Sequence, residues 1–119
     1  MSSYEQAIIL AKALDHKKGG DIKVLNTESL TTMADYFVIC TGVSSTQIKA
    51  LSDACEKEMR KHGEHVHHIE GRRDSTWLLL DFSSVLVHIF TEEARKFYDL
   101  ERLWADAVEI DLSNFLTPN

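Results

Sequence analysis

The chain has 119 residues, a hydrophobic fraction of 44% and a charged fraction of 27%. These values are typical of one globular domain that buries a core without disulfide bonds, and no apolar run approaches the roughly 20 residues that span a bilayer. The net charge of −6 argues against binding of nucleic acid through the overall electrostatic field. The N-terminus lacks the basic start of a signal peptide, so a cytoplasmic protein with reduced cysteines and no membrane contact is expected.

Apolar periodicity predicts eight elements in the order α-β-β-α-β-β-β-α. The predicted ranges are residues 4–16, 21–25, 34–40, 44–62, 64–70, 76–82, 85–90 and 91–104. Ser3 with Gln6 and Ser44 with Gln47 have the spacing of capping boxes ahead of the first two helices. The second helix carries an apolar stripe that consists of Ile48, Leu51, Cys55 and Met59.

The order of elements predicts a single α/β (α+β) domain with a mixed five-stranded sheet and packed helices. The strand–helix–strand unit of residues 34–70 is expected to form a right-handed parallel crossover, and residues 76–90 an antiparallel hairpin. The last helix is predicted to bury Phe97 and Trp104 in the core. Residues 1–107 form the predicted domain, and residues 108–119, which have no clear period, are expected to be a loose tail.

The stretch DYFVICTGVSSTQ, residues 35–47, has the strand–turn–helix layout of a phosphate-binding loop. A helix N-terminus offers free N–H groups to an anion. The stretch has one glycine and no following lysine, however, so it matches neither the Walker A motif nor the dinucleotide-binding motif. The pattern favours a glycine turn at Gly42 followed by a helix capped by Ser44.

Two chemical sites are weighed as alternatives. A nucleotidyltransferase-like enzyme would use Ser44, Ser45 and Asp81, but two metal ions about 4 Å apart need several converging carboxylates, and Asp81 is the one interior acid of the predicted strands. His65 and His67 share a face of a predicted strand at a spacing that suits zinc, without a third ligand nearby. Neither pattern demands catalysis, so no cofactor and no metal are expected.

The remaining residues that indicate a function are aromatic and acidic side chains expected on the surface. Trp77 begins a strand on which Asp81 shares its face, and Tyr98 lies among acids. Residues 92–111 contain seven acids and three bases, a net charge of −4. Aromatic side chains within a charged rim are typical of protein–protein interfaces, and an acidic surface favours a basic partner.

Several sequence motifs occur here in the same order as in one known family. They are ADYFVICTGVSSTQIKAL, the pair Glu70-Gly71 ahead of Trp77, WLLLDFSSVLVHIF and ARKFYDLERLWADA. Together they resemble the ribosomal silencing factor family, also called the Iojap family, over about residues 3–107. Ser83 departs from the family pattern, since relatives often place glycine there, and a different type of turn is expected.

The resemblance implies a nucleotidyltransferase-like fold without catalytic activity. It also implies a partner, the basic fourteenth protein of the large ribosomal subunit, which such a factor binds on the intersubunit face. Bound there, the factor blocks joining of the small subunit and lowers translation when nutrients are short. A free homodimer is implied as well.

Motif position and charge, rather than the resemblance, predict which residues touch the partner. The predicted partner-binding residues are Glu70, Trp77, Asp81, Tyr98, Asp99 and Glu101.

Overall fold

A computed structural model of the chain describes residues 1–71 and 76–118. The helices in this part are α1 (Ser3–His16), α2 (Ser45–Lys61), α3 (Glu92–Tyr98) and α4 (Leu100–Leu103). The strands are β1 (Gly20–Asn26), β2 (Tyr36–Thr41), β3 (His68–Gly71), β4 (Trp77–Asp81), β5 (Val85–Phe90) and β6 (Val108–Glu109). No helix in these residues has the length and apolar character needed to cross a membrane.

The predicted class, one domain with a mixed sheet and packed helices, is confirmed, but the described sheet has six strands rather than five. The strands pair in the order β3-β4-β5-β2-β1-β6. β2 and β5 are parallel, and the other four pairs are antiparallel. The charged loop predicted for residues 71–75 lies, apart from Gly71, outside the described residues.

The predicted crossover through α2 is correct in direction but not in position. β3 runs in the same direction as β2, because two antiparallel steps and one parallel step separate them. β4 and β5 lie between the two strands, since the hairpin places its second strand beside β2. The parallel neighbour of β2 is therefore β5, a strand that comes two elements later in the chain.

One face of the sheet is covered by α1 and α2. The predicted stripe of α2 is confirmed, because Ile48, Leu51, Cys55 and Met59 are all buried in the larger core cluster. The cap of α1 lies one residue earlier than predicted. Ser2 Oγ accepts a hydrogen bond from the Glu5 N–H at 3.1 Å and the Glu5 carboxylate accepts one from the Ser2 N–H at 3.2 Å, so the capping box is not Ser3 with Gln6.

The opposite face is covered by two short helices instead of the single helix predicted. Asp99 has the left-handed angles φ 48° and ψ 53°, which end α3 and begin α4. A residue with a side chain rarely adopts this conformation, so a periodic pattern does not reveal the break. Trp104 packs edge-on against Phe37 at a ring-centroid distance of 5.2 Å, so it contacts the core as predicted but is only half-buried.

The C-terminal segment has a packing role that the sequence did not predict. Val108 and Glu109 pair with β1, and the Ile110 N–H donates to the carbonyl of Val24 at 2.8 Å. Beyond that strand, Ile110, Leu112 and Leu116 pack against the larger core cluster.

Candidate binding surface

Glu70, Trp77 and Leu79 lie on one face of the sheet near the β3 edge. Side chains alternate along a strand, so Trp77 and Leu79 share a face, and Glu70 joins them as the cross-strand partner of Leu79. Together with Gly71 they line an open cleft of about 260 Å³. The structure thus brings two of the predicted partner-binding residues, Glu70 and Trp77, to one place.

An aromatic cluster adjoins this cleft. The ring of Trp77 lies 4.5 Å from that of Tyr98 and 4.9 Å from that of Phe90, centroid to centroid. Phe90 is buried, whereas Trp77 and Tyr98 are half-buried. Because Tyr98 is the last residue of α3, the cluster joins this helix to the β4–β5 hairpin. A third predicted residue therefore lies beside Trp77.

Phe97 extends the cluster into solvent, and its predicted place in the core is wrong. Its side chain is 81% exposed and stands edge-on to Tyr98 at a centroid distance of 5.1 Å. The buried residues of α3 are Ala94 and Arg95, and Tyr98 lies one turn after Ala94. At about 3.6 residues per turn, Phe97 lies on the far side of Ala94 from Arg95, at the edge of this inward face. A large exposed aromatic side chain next to a partly exposed stack is typical of an interaction surface.

Asp81 lies at the other end of β4 from Trp77. They are four residue steps apart along the strand, a distance of about 13 Å. The Asp81 carboxylate accepts a hydrogen bond from the Ser83 N–H at 2.7 Å. This bond holds the hairpin turn, in which Ser83 has φ 73°, a left-handed angle that favours glycine. Asp81 therefore supports a turn and does not line the cleft beside Trp77.

Asp99 and Glu101 lie in different surroundings. Asp99 is exposed in the break between the two short helices. Glu101 accepts hydrogen bonds from Arg95 Nε at 2.9 Å and from Lys23 Nζ at 3.1 Å. The hydrogen bond from Arg95 is the main cause that lowers the pKa of Glu101 below its usual value. Its carboxylate is thus held within the protein and joins α4 to β1.

Arg95 is a buried cation that no motif or periodic pattern in the sequence indicates. Its side chain is 8% exposed, and its Nη1 donates to the Asp21 carbonyl at 2.7 Å and to Thr41 Oγ1 at 2.8 Å. With Glu101 as the third partner, the guanidinium links β1, β2 and α4 to its own helix. Buried charges carry no periodic signal, so this network is visible only in three dimensions.

The turn after β2 is closed by the protein's own side chains. Ser44 caps α2 as predicted, but the predicted Ser44–Gln47 capping box is incomplete, because the Gln47 side chain bonds the Val43 N–H and not the Ser44 N–H. Ser44 Oγ accepts a hydrogen bond from the Gln47 N–H at 3.1 Å. The Gln47 side chain accepts one from the Val43 N–H at 2.7 Å and donates to the carbonyl of Lys18 at 3.1 Å. At Gly42 an added Cβ would lie 2.7 Å from Ile48 Cγ1, so the glycine permits the helix to approach closely.

The residues of the nucleotidyltransferase alternative are not brought together. Asp81 lies level with Leu86 and, across β5, with Phe37 near the start of β2. Ser44 and Ser45 follow the opposite end of β2, about 13 Å or more along the strand direction. This separation excludes direct cooperation of Asp81 with Ser44 in this structure.

The two histidines of the zinc alternative are not placed on one strand face either. The strand predicted from residue 64 begins only at His68, so His65 and His67 do not share a strand face. Within the described residues no group of three or more histidine, cysteine or acidic side chains is placed to hold a metal ion. Both cysteines are buried free thiols, and burial raises the pKa of Cys40 to about 12.

The fold and the site define a small mixed α/β domain that presents an aromatic surface with acidic neighbours on one face of its sheet. Comparison with known proteins gives the family. The family model described as "Ribosomal silencing factor during starvation" matches residues 1–119. The chain therefore belongs to the ribosomal silencing factor family, and the match includes the segment after Ala107.

Named relatives and solved structures agree with this assignment. The chain is 38% identical to ribosomal silencing factor RsfS of Bacillus subtilis, over 87% of this chain and 88% of that protein. It is 38% identical to chloroplastic protein Iojap of Zea mays, over 89% of this chain but 46% of that longer protein. A crystal structure of a Chromobacterium violaceum protein superposes with a TM-score of 0.85 at 32% identity and covers 88% of each chain. A crystal structure of a Bacillus halodurans protein superposes with a TM-score of 0.79 at 30% identity and covers 92% of this chain and 99% of the other.

Proposed function

We propose that this protein binds the large ribosomal subunit and prevents the small subunit from joining it, so that translation falls when nutrients are short. The partner would be the fourteenth protein of the large subunit, a basic protein at the intersubunit face. The factor would act by occupying space there and not by catalysis. It would work in the cytoplasm, as a homodimer when free, with little or no sequence-specific contact to nucleic acid.

The observation that supports this proposal most is the exposed aromatic surface made by Phe97, Tyr98 and Trp77. Phe97 is 81% exposed, a poor environment for a phenylalanine that has no partner. Burial of such a ring in a complex contributes binding free energy through the hydrophobic effect. Surfaces of this kind are where the binding energy of an interface concentrates.

Charge supports a basic partner. The chain carries a net charge of −6, and residues 92–111 contribute −4 of it. Glu70 lies beside Trp77 in the cleft, and Asp99 lies next to Tyr98 in the chain. Complementary fields raise association rates and select the partner, an effect that weakens as salt is added.

The six predicted residues divide into two groups within this proposal. Glu70, Trp77, Tyr98 and Asp99 would contact the partner or rim the contact, and Phe97 joins them. Asp81 and Glu101 would act indirectly, the first through the hairpin turn and the second through the Arg95 network.

Co-sedimentation of purified protein with large subunits tests the proposal. Phe97→Ala should weaken binding about tenfold or more without altering the urea midpoint, because the ring is a solvent-exposed anchor. Asp99→Lys should also weaken binding. Asp53→Lys is the matched charge control, since Asp53 is exposed on α2, which covers the other face of the sheet.

Subunit joining is the second measurement. Addition of the protein to mixed subunits should lower the fraction of coupled ribosomes, and Phe97→Ala should restore it. Binding that is unchanged in both Phe97→Ala and Asp99→Lys would show that another surface carries the function. Light scattering of the free protein tests the homodimer.

A further inference from the structure

His88 lies directly beneath the proposed contact surface and makes one specific contact with it. It is 5% exposed and sits on β5 opposite Leu79. The indole Nε1–H of Trp77 donates a hydrogen bond to His88 Nδ1 at 3.2 Å. The imidazole also lies among three aromatic rings, with centroid distances of 5.2 Å to Phe37, 5.9 Å to Trp77 and 6.0 Å to Phe90.

This contact fixes the protonation state of the imidazole. An indole N–H can only donate, so Nδ1 must be the unprotonated nitrogen that accepts. The proton of the neutral ring is therefore on Nε2. Nε2 is buried and has no hydrogen-bond partner among the described residues.

A buried polar atom without a partner destabilises the fold. A phenylalanine would fill the same aromatic surroundings without that penalty. The feature that the imidazole adds over a phenylalanine is the acceptor for Trp77.

The same bond decides what Trp77 can offer to a partner. With its N–H directed inward to His88, the indole has no hydrogen-bond donor left for the surface. Trp77 lines the cleft with Glu70 and Leu79, so a partner group in the cleft meets aromatic surface, an aliphatic side chain and a carboxylate. An aliphatic chain with a cationic end, as in lysine or arginine, fits all three.

We propose that His88 is a positioning residue, which holds the Trp77 indole inward so that its aromatic surface, and not its N–H, receives a basic side chain of the partner. This inference rests on the proposed function, because it assumes that Trp77 contacts the ribosomal partner. It adds a residue beneath the surface and a chemical class for the group that enters the cleft.

Two substitutions separate positioning from packing. His88→Phe keeps an aromatic ring and removes the acceptor. His88→Asn keeps an acceptor near the position of Nδ1 and removes most of the ring, since the Asn side-chain oxygen stands about where Nδ1 does. If His88 acts through Trp77, His88→Phe weakens subunit binding about fivefold, the size expected for one neutral hydrogen bond, and His88→Asn restores most of the loss.

A double-mutant cycle with Trp77→Phe gives the sharper readout. Trp77→Phe has no N–H to position, so His88→Phe should have no further effect on binding in that background. A fivefold loss in both backgrounds would overturn the proposal, because it would mean that His88 acts through packing alone.

Nuclear magnetic resonance tests the contact without the ribosome. The chain has two tryptophans, so Trp77→Phe assigns the Trp77 indole N–H signal. That signal should move upfield in His88→Phe and stay near its wild-type position in His88→Asn. An unmoved signal overturns the inference even if Trp77 proves essential for binding. A moved signal together with full subunit binding by Trp77→Ala instead refutes the assumed contact surface.

Discussion

Replacement of Glu101 by glutamine should lower the free energy of unfolding. Its effect on the contact surface should be smaller. The carboxylate accepts hydrogen bonds from Arg95 Nε at 2.9 Å, from Arg95 Nη2 at 3.4 Å and from Lys23 Nζ at 3.1 Å. The Glu101 side chain is 27% exposed and the Arg95 side chain 8%. Glu101→Gln keeps the shape and one acceptor oxygen, but it removes the charge and turns an amide NH₂ toward a cation.

The magnitude follows from this partial burial. Hydrogen bonds to charged groups contribute about 1.5–3 kcal/mol, and exposed ion pairs about 0–1 kcal/mol. Glu101 lies between these cases, so we expect a loss of about 2 kcal/mol in the free energy of unfolding. With a urea m-value of about 1–3 kcal/mol per molar, the midpoint should fall by about 1 M.

Urea denaturation at neutral pH measures the effect, with Glu93→Gln as the control. Glu93 is exposed on α3, so the same loss of charge there should cost about 0.5 kcal/mol or less. The difference between wild type and Glu101→Gln should also shrink as pH falls below 4.5, the unperturbed value from which the pKa of Glu101 is lowered. A variant with the wild-type midpoint that no longer co-sediments with large subunits would refute this reasoning and place Glu101 in the contact itself.

Three further predictions concern the core and the C-terminal segment. Burial lowers the pKa of His88 from 6.5 to about 4. The unfolded chain therefore binds the proton first as pH drops through this window, and the free energy of unfolding should fall by about 3 kcal/mol. In urea denaturation His88→Phe should lack this part of the pH profile, and parallel profiles of variant and wild type would contradict the prediction. Gly19→Ala should lower the free energy of unfolding by about 2–3 kcal/mol, since the added Cβ would overlap with Cys40 Sγ. Gly63→Ala should lower it by only about 1 kcal/mol in the same assay, because φ is +77° but nothing lies within 4 Å of the added Cβ. Truncation after Ala107 should lower the free energy of unfolding by about 2–4 kcal/mol through loss of apolar packing, and an unchanged urea midpoint would mean that the segment is a loose tail.

The long elements could be predicted because their patterns are local. Residues 4–16 and 44–62 carry helical stripes, and α1 (Ser3–His16) and α2 (Ser45–Lys61) match them within about one residue. The elements that were missed or misplaced depend on contacts between residues distant in the chain. Two residues are too few to show a strand pattern, so β6 was missed. The place of β3 at the edge of the sheet follows from how the hairpin pairs, which periodicity does not encode.

The candidate site was predictable to a similar extent. Strand alternation correctly placed Trp77 and Asp81 on one face, but it does not measure the distance along the strand that separates them. The acidic composition pointed to Glu101 without revealing that its carboxylate is held by Arg95 and Lys23. Phe97 was assigned to the core because a large aromatic side chain usually lies there, and only the break at Asp99 and the packing of α3 leave it exposed.

The Gln47 amide has a consequence for how this scaffold could be re-engineered. It contacts the Val43 N–H just ahead of α2 and the carbonyls of Lys17 and Lys18, so it occupies the place where other proteins hold an anion, and it ties that place to the end of α1. Gln47→Gly would cut this tie and free the Val43 N–H together with those two carbonyls. The two carbonyl oxygens exposed in this way would repel an anion, so a designed sulfate or phosphate receptor at this helix end would also need a cationic or N–H-bearing group over them, at the cost of a looser joint between the two long helices.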